Sequence, residues 1–404
     1  MADHRTSGID SPRAWRVCFA AFVAAFVVFG VSYSFGVFLK PMALEFGASH
    51  ALMSTLFATL TVLSFFLSPF TGDLADRYGP KLLAVSGAVL FAAGLILSAH
   101  VYSFPLLFLT YGVGVGDGVA CIYLPSVAAV GEWFKVYRDI ALGIAVSGIG
   151  LGTLVAAPVA AILIDKYDWR TCLEIYGWAS IALLLPCAVL LAKPPQAPGK
   201  SKIGIRQKVA TRRFGLLYLG RMLAGIAIYI SYVYLPAFAD DIGISHVAAA
   251  SLVGYIGASS IVGRIGMNAV APRFGQITTY RMTFLMLLVS YGFWLTAHSY
   301  VQLAIFSVIM GVGYGGLVAL TPAVAVSLFG TAGLGELLGV LYTSLGVACL
   351  IGPPLAGVIV DRTKDYKGPV VFALLAAFSA LIVVTRRPAV SPQQDSASAL
   401  KESA

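Results

Sequence analysis

The chain has 404 residues, of which 59% are hydrophobic and only 11% charged, with a net charge of +9. Such a balance surrounds most of it with hydrocarbon and excludes an ordinary soluble domain. Its basic residues gather in short segments between apolar runs, so the charge is topological, with no groove for nucleic acid. All five cysteines (Cys18, Cys121, Cys172, Cys187, Cys349) lie in apolar runs without metal-ligand spacing, so neither a metal nor another cofactor is implied.

Apolar segments of about 20 residues, enough to cross a bilayer, begin near Trp15, Ala51, Leu82, Phe104, Ile140, Cys172, Phe214, Val247, Thr278, Val301, Leu337 and Pro369. The expectation is an all-α membrane protein with twelve transmembrane helices. The first run is too long for a removed signal peptide and has no small-residue cleavage site. With both termini in the cytoplasm, the inner segments hold 19 of the 27 basic residues, as charge retention requires.

In chain order, residues 1–14 form a cytoplasmic arm and 15–192 a first six-helix bundle. Helix one carries Ser32-Tyr33, with Lys40 at its outer mouth. Helix two ends in Gly72-Asp-Leu-Ala-Asp76-Arg77-Tyr-Gly79-Pro-Lys81, where small residues permit a tight turn. Helix four holds Asp117 near mid-span, then Cys121, Tyr123 and Pro125. An ideal helix puts Cys121 on the face of Asp117 and Tyr123 roughly 120° away, so the three do not share one direction. Residues 193–213 carry three prolines, seven basic residues and no acidic one, which reads as a cytoplasmic linker.

The second bundle spans 214–387 and a disordered tail 388–404. Arg221 in helix seven lies one to two turns from the basic linker and is expected to snorkel to the inner interface. Arg264 lies about fifteen residues into helix eight, at a depth that costs roughly 2.5–3.5 kcal/mol. Gly257, Ser260, Arg264 and Asn268 share one helix face, a small and polar stripe suited to a water-filled cavity. Tyr33, Tyr314 and Tyr342 offer phenols to the same cavity, or pack as ordinary aromatics. His50, His100, His246 and His298 fall at outer helix ends.

The chain also repeats itself at an offset of 196 residues. Glu45-Phe-Gly-Ala-Ser-His50 returns as Asp241-Ile-Gly-Ile-Ser-His246, Arg77-Tyr-Gly79 as Arg273-Phe-Gly275, and Leu142-Gly143 as Leu338-Gly339. Duplicated bundles of this kind close around a shared central site. Arg264 falls opposite Ser68 and so breaks the symmetry, which favours a ligand role over scaffolding.

The run from Gly72 to Lys81 resembles the loop between helices two and three of the major facilitator superfamily, with a degenerate copy at Asn268 to Gly275. The resemblance implies two pseudo-symmetric bundles and a gating role for Gly72, Asp76, Arg77, Gly79 and Arg273. Further stretches are similar to the monocarboxylate-transporter family: Trp133-Phe134 through Gly152, Trp169-Arg170, and Gly352-Pro-Pro-Leu-Ala-Gly357 with Asp361, Asp365 and Tyr366. That family's arginine implies that Arg264 binds a substrate carboxylate, and its helix-four stretch implies that Cys121 and Tyr123 contact the substrate; Ser260 on the polar stripe and the phenols of Tyr33, Tyr314 and Tyr342 are the further binding candidates. The family's aspartate one turn before the arginine is Ser260 here. Asp117 is therefore expected to supply the proton-coupling carboxylate and to pair with Arg264 when no substrate is bound. The family's helix-one lysine meets Val37.

The expected function is secondary transport of small monocarboxylates such as lactate or pyruvate, with a proton, across the cell membrane. The expected partners are substrate, proton and lipid, without an obligatory protein. An oxalate–formate-type anion exchanger is the nearest alternative; it resembles this fold but uses a second buried cation in helix eleven, where Tyr342-Thr-Ser-Leu345 carries no charge. A proton-driven exporter of other small molecules is a further alternative. A receptor or intramembrane enzyme would need an output domain, a catalytic pair or a metal cluster, and no catalytic residue is nominated.

Overall fold

The computed structural model describes residues 9–192, 206–330 and 333–386, apart from the side chains of Ser68, Pro69 and Asp76. The expected linker up to residue 205 and the tail from 388 lie outside the described residues. All regular structure among the described residues is helical. Helix α1 is Pro12–Tyr33, continued after Ser34 by Phe35–Phe46, and α2 is His50–Phe66, continued after Leu67 by Ser68–Tyr78. Then follow α3 (Pro80–His100), α4 (Phe104–Trp133), α5 (Arg138–Lys166) and α6 (Trp169–Leu190). After a short turn at Arg206–Val209 come α7 (Arg212–Asp241), α8 (His246–Phe274), α9 (Gln276–Leu295), α10 (Tyr300–Phe329), α11 (Leu334–Thr363) and α12 (Lys367–Thr385). The first and last helices begin and end at the same end of the bundle, here called the terminal end; the other is the far end.

Side-chain caps start several of these helices as the sequence dictates. Ser11, Ser49, Asp168, Thr211 and Ser299 each accept the backbone N–H three residues on, satisfying a donor that the helix leaves free. The repeat is visible in the turns: Gly79 (φ 92°) and Gly275 (φ 85°) both adopt a positive φ and both close onto a carbonyl four residues back. A side chain would strain that backbone.

Among the described residues ten helices are long and apolar enough to cross a membrane. Of the twelve expected spans, the second and the ninth fall short of that measure. The apolar part of α2 has 17 residues and gives way at Leu67 to the polar Ser68–Tyr78 segment. Helix α9 begins with Gln276, Thr278, Thr279 and Arg281 in its first turns.

Two long seams join the halves, α2 against α11 and α5 against α8, and α7 also packs on the Phe35–Phe46 continuation of α1. At the α5–α8 seam a Cβ on Gly150 would stand 2.5 Å from the Gly257 carbonyl oxygen, and one on Gly257 would stand 2.5 Å from that of Gly150. Backbone therefore meets backbone there, which only glycine permits. Toward the terminal end the seams diverge. Gly143 and its repeat partner Gly339 face open space, and Arg138, Asp139 and Asn268 are exposed.

Candidate functional site

At the centre, aromatic side chains from both halves interlock. Tyr33 of α1 stacks on Tyr232 of α7 with centroids 4.2 Å apart, and its hydroxyl meets that of Tyr314 of α10 at 3.4 Å. Phe57 of α2 stands beside Tyr33 and edge-on to Tyr229 of α7. These groups lie on the far-end side of the centre: Tyr33 is 21 residues, about 31 Å, from the start of α1. They close the path between the halves in that direction.

One layer below sits Arg264, only 7% exposed. Its Nη1 donates to the carbonyl of Val146 on α5 at 2.7 Å, a bond across the seam. Its Nε and Nη2 are buried without a hydrogen-bond partner. These two atoms form one edge of the planar guanidinium, the edge that holds a carboxylate through two parallel bonds. Ser260, one turn away, is fully buried and donates to the Gly257 carbonyl. Tyr123 on α4 packs edge-on against Phe29 of α1, 4.6 Å between centroids. Exposure along the α8 stripe rises from Ser260 through Arg264 to Asn268, so the polar face opens toward the terminal end.

Helix α4 resolves the conflict between its three candidate residues by facing them apart. Gly118 packs on Phe91 and Gly87 of α3 packs on Cys121, while Gly116 packs on Leu60 of α2. Cys121 thus lies on the α3 side, Asp117 one turn before it shares that helix face, and Tyr123 points to α1. The expected pairing of Asp117 with Arg264 is not made: among the described residues Arg264 has the Val146 carbonyl as its bonded neighbour. Helical geometry is the reason, since the residue that faces α1 cannot share a direction with one six positions earlier.

Arg221 also differs from expectation. It does not reach the interface but is 0% exposed. Nη1 donates to Thr321 Oγ1 on α10, and the guanidinium carbon lies 5.1 Å over the ring of Tyr342 on α11. Snorkelling fails because α7 turns this residue into its own half, where an aromatic face and a hydroxyl receive it.

The far end is fastened by a carboxylate that caps a helix of the other half. Asp361 of α11 accepts the backbone N–H of His50 and of Ala51, both at 3.0 Å, while Ser49 accepts that of Leu52. Three of the free donors at the start of α2 are thereby satisfied, two of them from across the seam. His50 Nδ1 lies 2.9 Å from the same carboxylate and Nε2 lies 3.1 Å from the Tyr366 hydroxyl. Burial first, then the carboxylates of Asp241, Asp240 and Asp361, push the Tyr366 phenol up to about 12, so it keeps its proton and can donate to Nε2. Tyr234 completes the fastening by bonding Ser54 at 2.6 Å and the Pro353 carbonyl at 3.1 Å, and Lys40 reaches Asp240 at 3.8 Å. Asp361→Ala is expected to cost the far-end-closed state about 1–2 kcal/mol, the worth of a helix cap, read as faster hydrogen exchange at the His50 and Ala51 amides. Unchanged exchange there would contradict the assignment.

The nominated gating residues stand at the terminal end. Arg77 and Arg273 are both exposed, the latter 5.8 Å over Phe274. Gly72 faces open space and Gly79 terminates the helix. The side chain of Asp76 lies outside the described residues.

The sequence reading passed over Tyr229 and Tyr232, which the structure brings to the centre. Their spacing of three residues on α7 sets them on one helix face, a signal available beforehand. The Val146 carbonyl, as a backbone group, left none.

Against known proteins, the chain matches the Major Facilitator Superfamily over residues 21–298 and 217–403. It is 28% identical to monocarboxylate transporter 13 of Rattus norvegicus over 391 residues, covering 94% of this chain and 91% of the relative. Monocarboxylate transporter 12 of Xenopus laevis is 27% identical over 410 residues, 92% and 87% covered. The MFS-type transporter pynF of Aspergillus niger is 27% identical over 367 residues, 88% and 84% covered. In fold, the chain superposes on a bacterial homologue of the human lysosomal transporter Spinster in an inward-facing and occupied conformation, with a TM-score of 0.77 at 16% identity, covering 95% and 100%. The nucleoside transporter NupG (D323A mutant) gives 0.73 at 14%, covering 91% and 98%. The chain is therefore a multi-pass membrane transporter and not an enzyme: it belongs to the major facilitator superfamily and is related to that superfamily's monocarboxylate transporters.

Proposed function

We propose that this protein carries small monocarboxylates of the lactate or pyruvate type, together with a proton, across the plasma membrane. The observation that supports this reading is the Nε/Nη2 edge of Arg264, buried and without a partner at the seam of the two halves. A carboxylate on that edge would be neutralised where α5 and α8 meet, next to the bond from Arg264 to Val146. Alternating access follows if occupancy decides whether that bond and the divergence of the terminal ends persist. With the termini in the cytoplasm, the conformation described is open to the cytoplasm and sealed outside.

Proton coupling has an energetic motive. An anion entering a negative cell works against roughly 2.3 kcal/mol per 100 mV, whereas anion plus proton is neutral. Asp117 is the carboxylate we assign to this step, acting from the α3 side of α4 without a direct bond to Arg264. In proteoliposomes, an imposed inward proton gradient is expected to drive lactate uptake by the wild type. No uptake of any monocarboxylate would overturn the substrate class. Asp117→Asn is expected to abolish substrate-driven alkalinisation while lactate-for-lactate exchange continues. Undiminished alkalinisation would remove Asp117 from the mechanism.

A further inference from the structure

A second buried cation faces the same central layer. Arg221 lies nine residues, about 14 Å, from the terminal end of α7, and Arg264 lies ten residues, about 15 Å, from that of α8. Tyr342 on α11 and Tyr123 on α4 are eight and ten residues from the same end, at about 12 and 15 Å. Four helices thus present two arginines and two tyrosines at one depth. Tyr342 stands directly under Arg221, its ring centre 5.1 Å from the guanidinium carbon.

The two arginines are held alike. Each has Nη1 bonded to an oxygen, Thr321 Oγ1 for Arg221 and the Val146 carbonyl for Arg264. Each leaves Nε and Nη2 buried without a partner. The ion pairs Lys40 with Asp240, His50 with Asp361, Arg170 with Glu45 and His246 with Asp240 lie elsewhere, and among the described residues no ion pair neutralises Arg221. A guanidinium withdrawn from water needs an opposite charge or a full set of acceptors, and one hydroxyl and one ring face leave its bidentate edge open.

We infer that Arg221 is a second anion-binding residue, and that the site accepts small acids with two carboxylates, one on Arg264 and the other on Arg221. A dianion neutralises both guanidinium groups at once, which a monocarboxylate cannot do. Tyr123 and Tyr342, at the same depth, offer apolar faces to the connecting carbons and hydroxyls to the acid oxygens. The inference rests on the reading of Arg264 as a carboxylate anchor and extends its substrate class.

The test compares succinate with butyrate, which have four carbons each, as competitors of proteoliposome lactate uptake at neutral pH. In the wild type succinate is expected to compete at lower concentration than butyrate. Arg221→Gln is expected to lower that succinate-to-butyrate preference by about 10–100-fold, the loss of a charge-assisted pair, and Arg221→Lys to restore part of it. Equal preference in wild type and Arg221→Gln would overturn the inference, as would a wild type that favours butyrate. If the glutamine variant does not fold, thermal stabilisation of the solubilised wild type decides: no greater stabilisation by succinate than by butyrate refutes a second site. A wild type that takes up lactate but ignores succinate defeats only this inference, while one that transports no acid defeats the reading beneath it.

Discussion

Arg264→Gln is expected to lower lactate uptake by at least about 100-fold. A neutral amide keeps some of the hydrogen bonding but loses the charge and the rigid two-donor edge, and a charged hydrogen-bonded pair in a dry site is worth about 3 kcal/mol or more. The loss should fall on binding and translocation together, because Arg264 both faces the site and holds Val146 across the seam. Arg264→Lys retains charge without the fork and is expected to recover only a minor part. The measurement is initial-rate uptake against concentration in proteoliposomes, with circular dichroism and monodispersity confirming the fold. Uptake by Arg264→Gln within a few-fold of wild type would remove the arginine from the site.

Gly150→Leu is expected to abolish net transport by a different route, preventing closure of the far end. The added Cβ would meet the Gly257 carbonyl oxygen at 2.5 Å, a contact that neither backbone can relieve without separating α5 from α8. Overpacking of this kind costs about 1–3 kcal/mol per site, and 2.8 kcal/mol shifts a two-state population about 100-fold. Spin labels at Lys166 and Ile242, both exposed at the far end of their helices, should report a longer distance in the variant. An unchanged distance with lost transport would place the defect elsewhere. Gly143→Leu, at an open position near the terminal end, is the contrasting control for side-chain bulk in α5.

These two positions differ in how far they could be read from the chain. Arg264 is visible because a lone guanidinium in an apolar run is costly, and because the internal repeat puts Ser68 opposite it. Gly150 is one glycine among 42, and only its neighbour across the seam distinguishes it. Asp117 and Arg221 show the opposite error. Asp117, as the one carboxylate near mid-span, is expected at Arg264, and Arg221, close to the basic linker, at the interface, whereas Arg264 bonds Val146 instead and α7 turns Arg221 into its own half.

The sequence by itself determined that this is a duplicated bundle of membrane helices. Hydrophobic length, the placement of Lys and Arg, and turn glycines such as Gly79 and Gly275 are local quantities, fixed by the bilayer and the backbone wherever the segments later pack. It also nominated the arginine, since burial cost needs no partner to be recognised. Only the tertiary structure decided which end is sealed, that Asp361 caps a helix of the other half, and that Arg221 and Arg264 share one layer with the same edge free. Those facts depend on the rotation of each helix about its axis and on contacts between residues more than a hundred positions apart, to which hydrophobic period and spacing are blind.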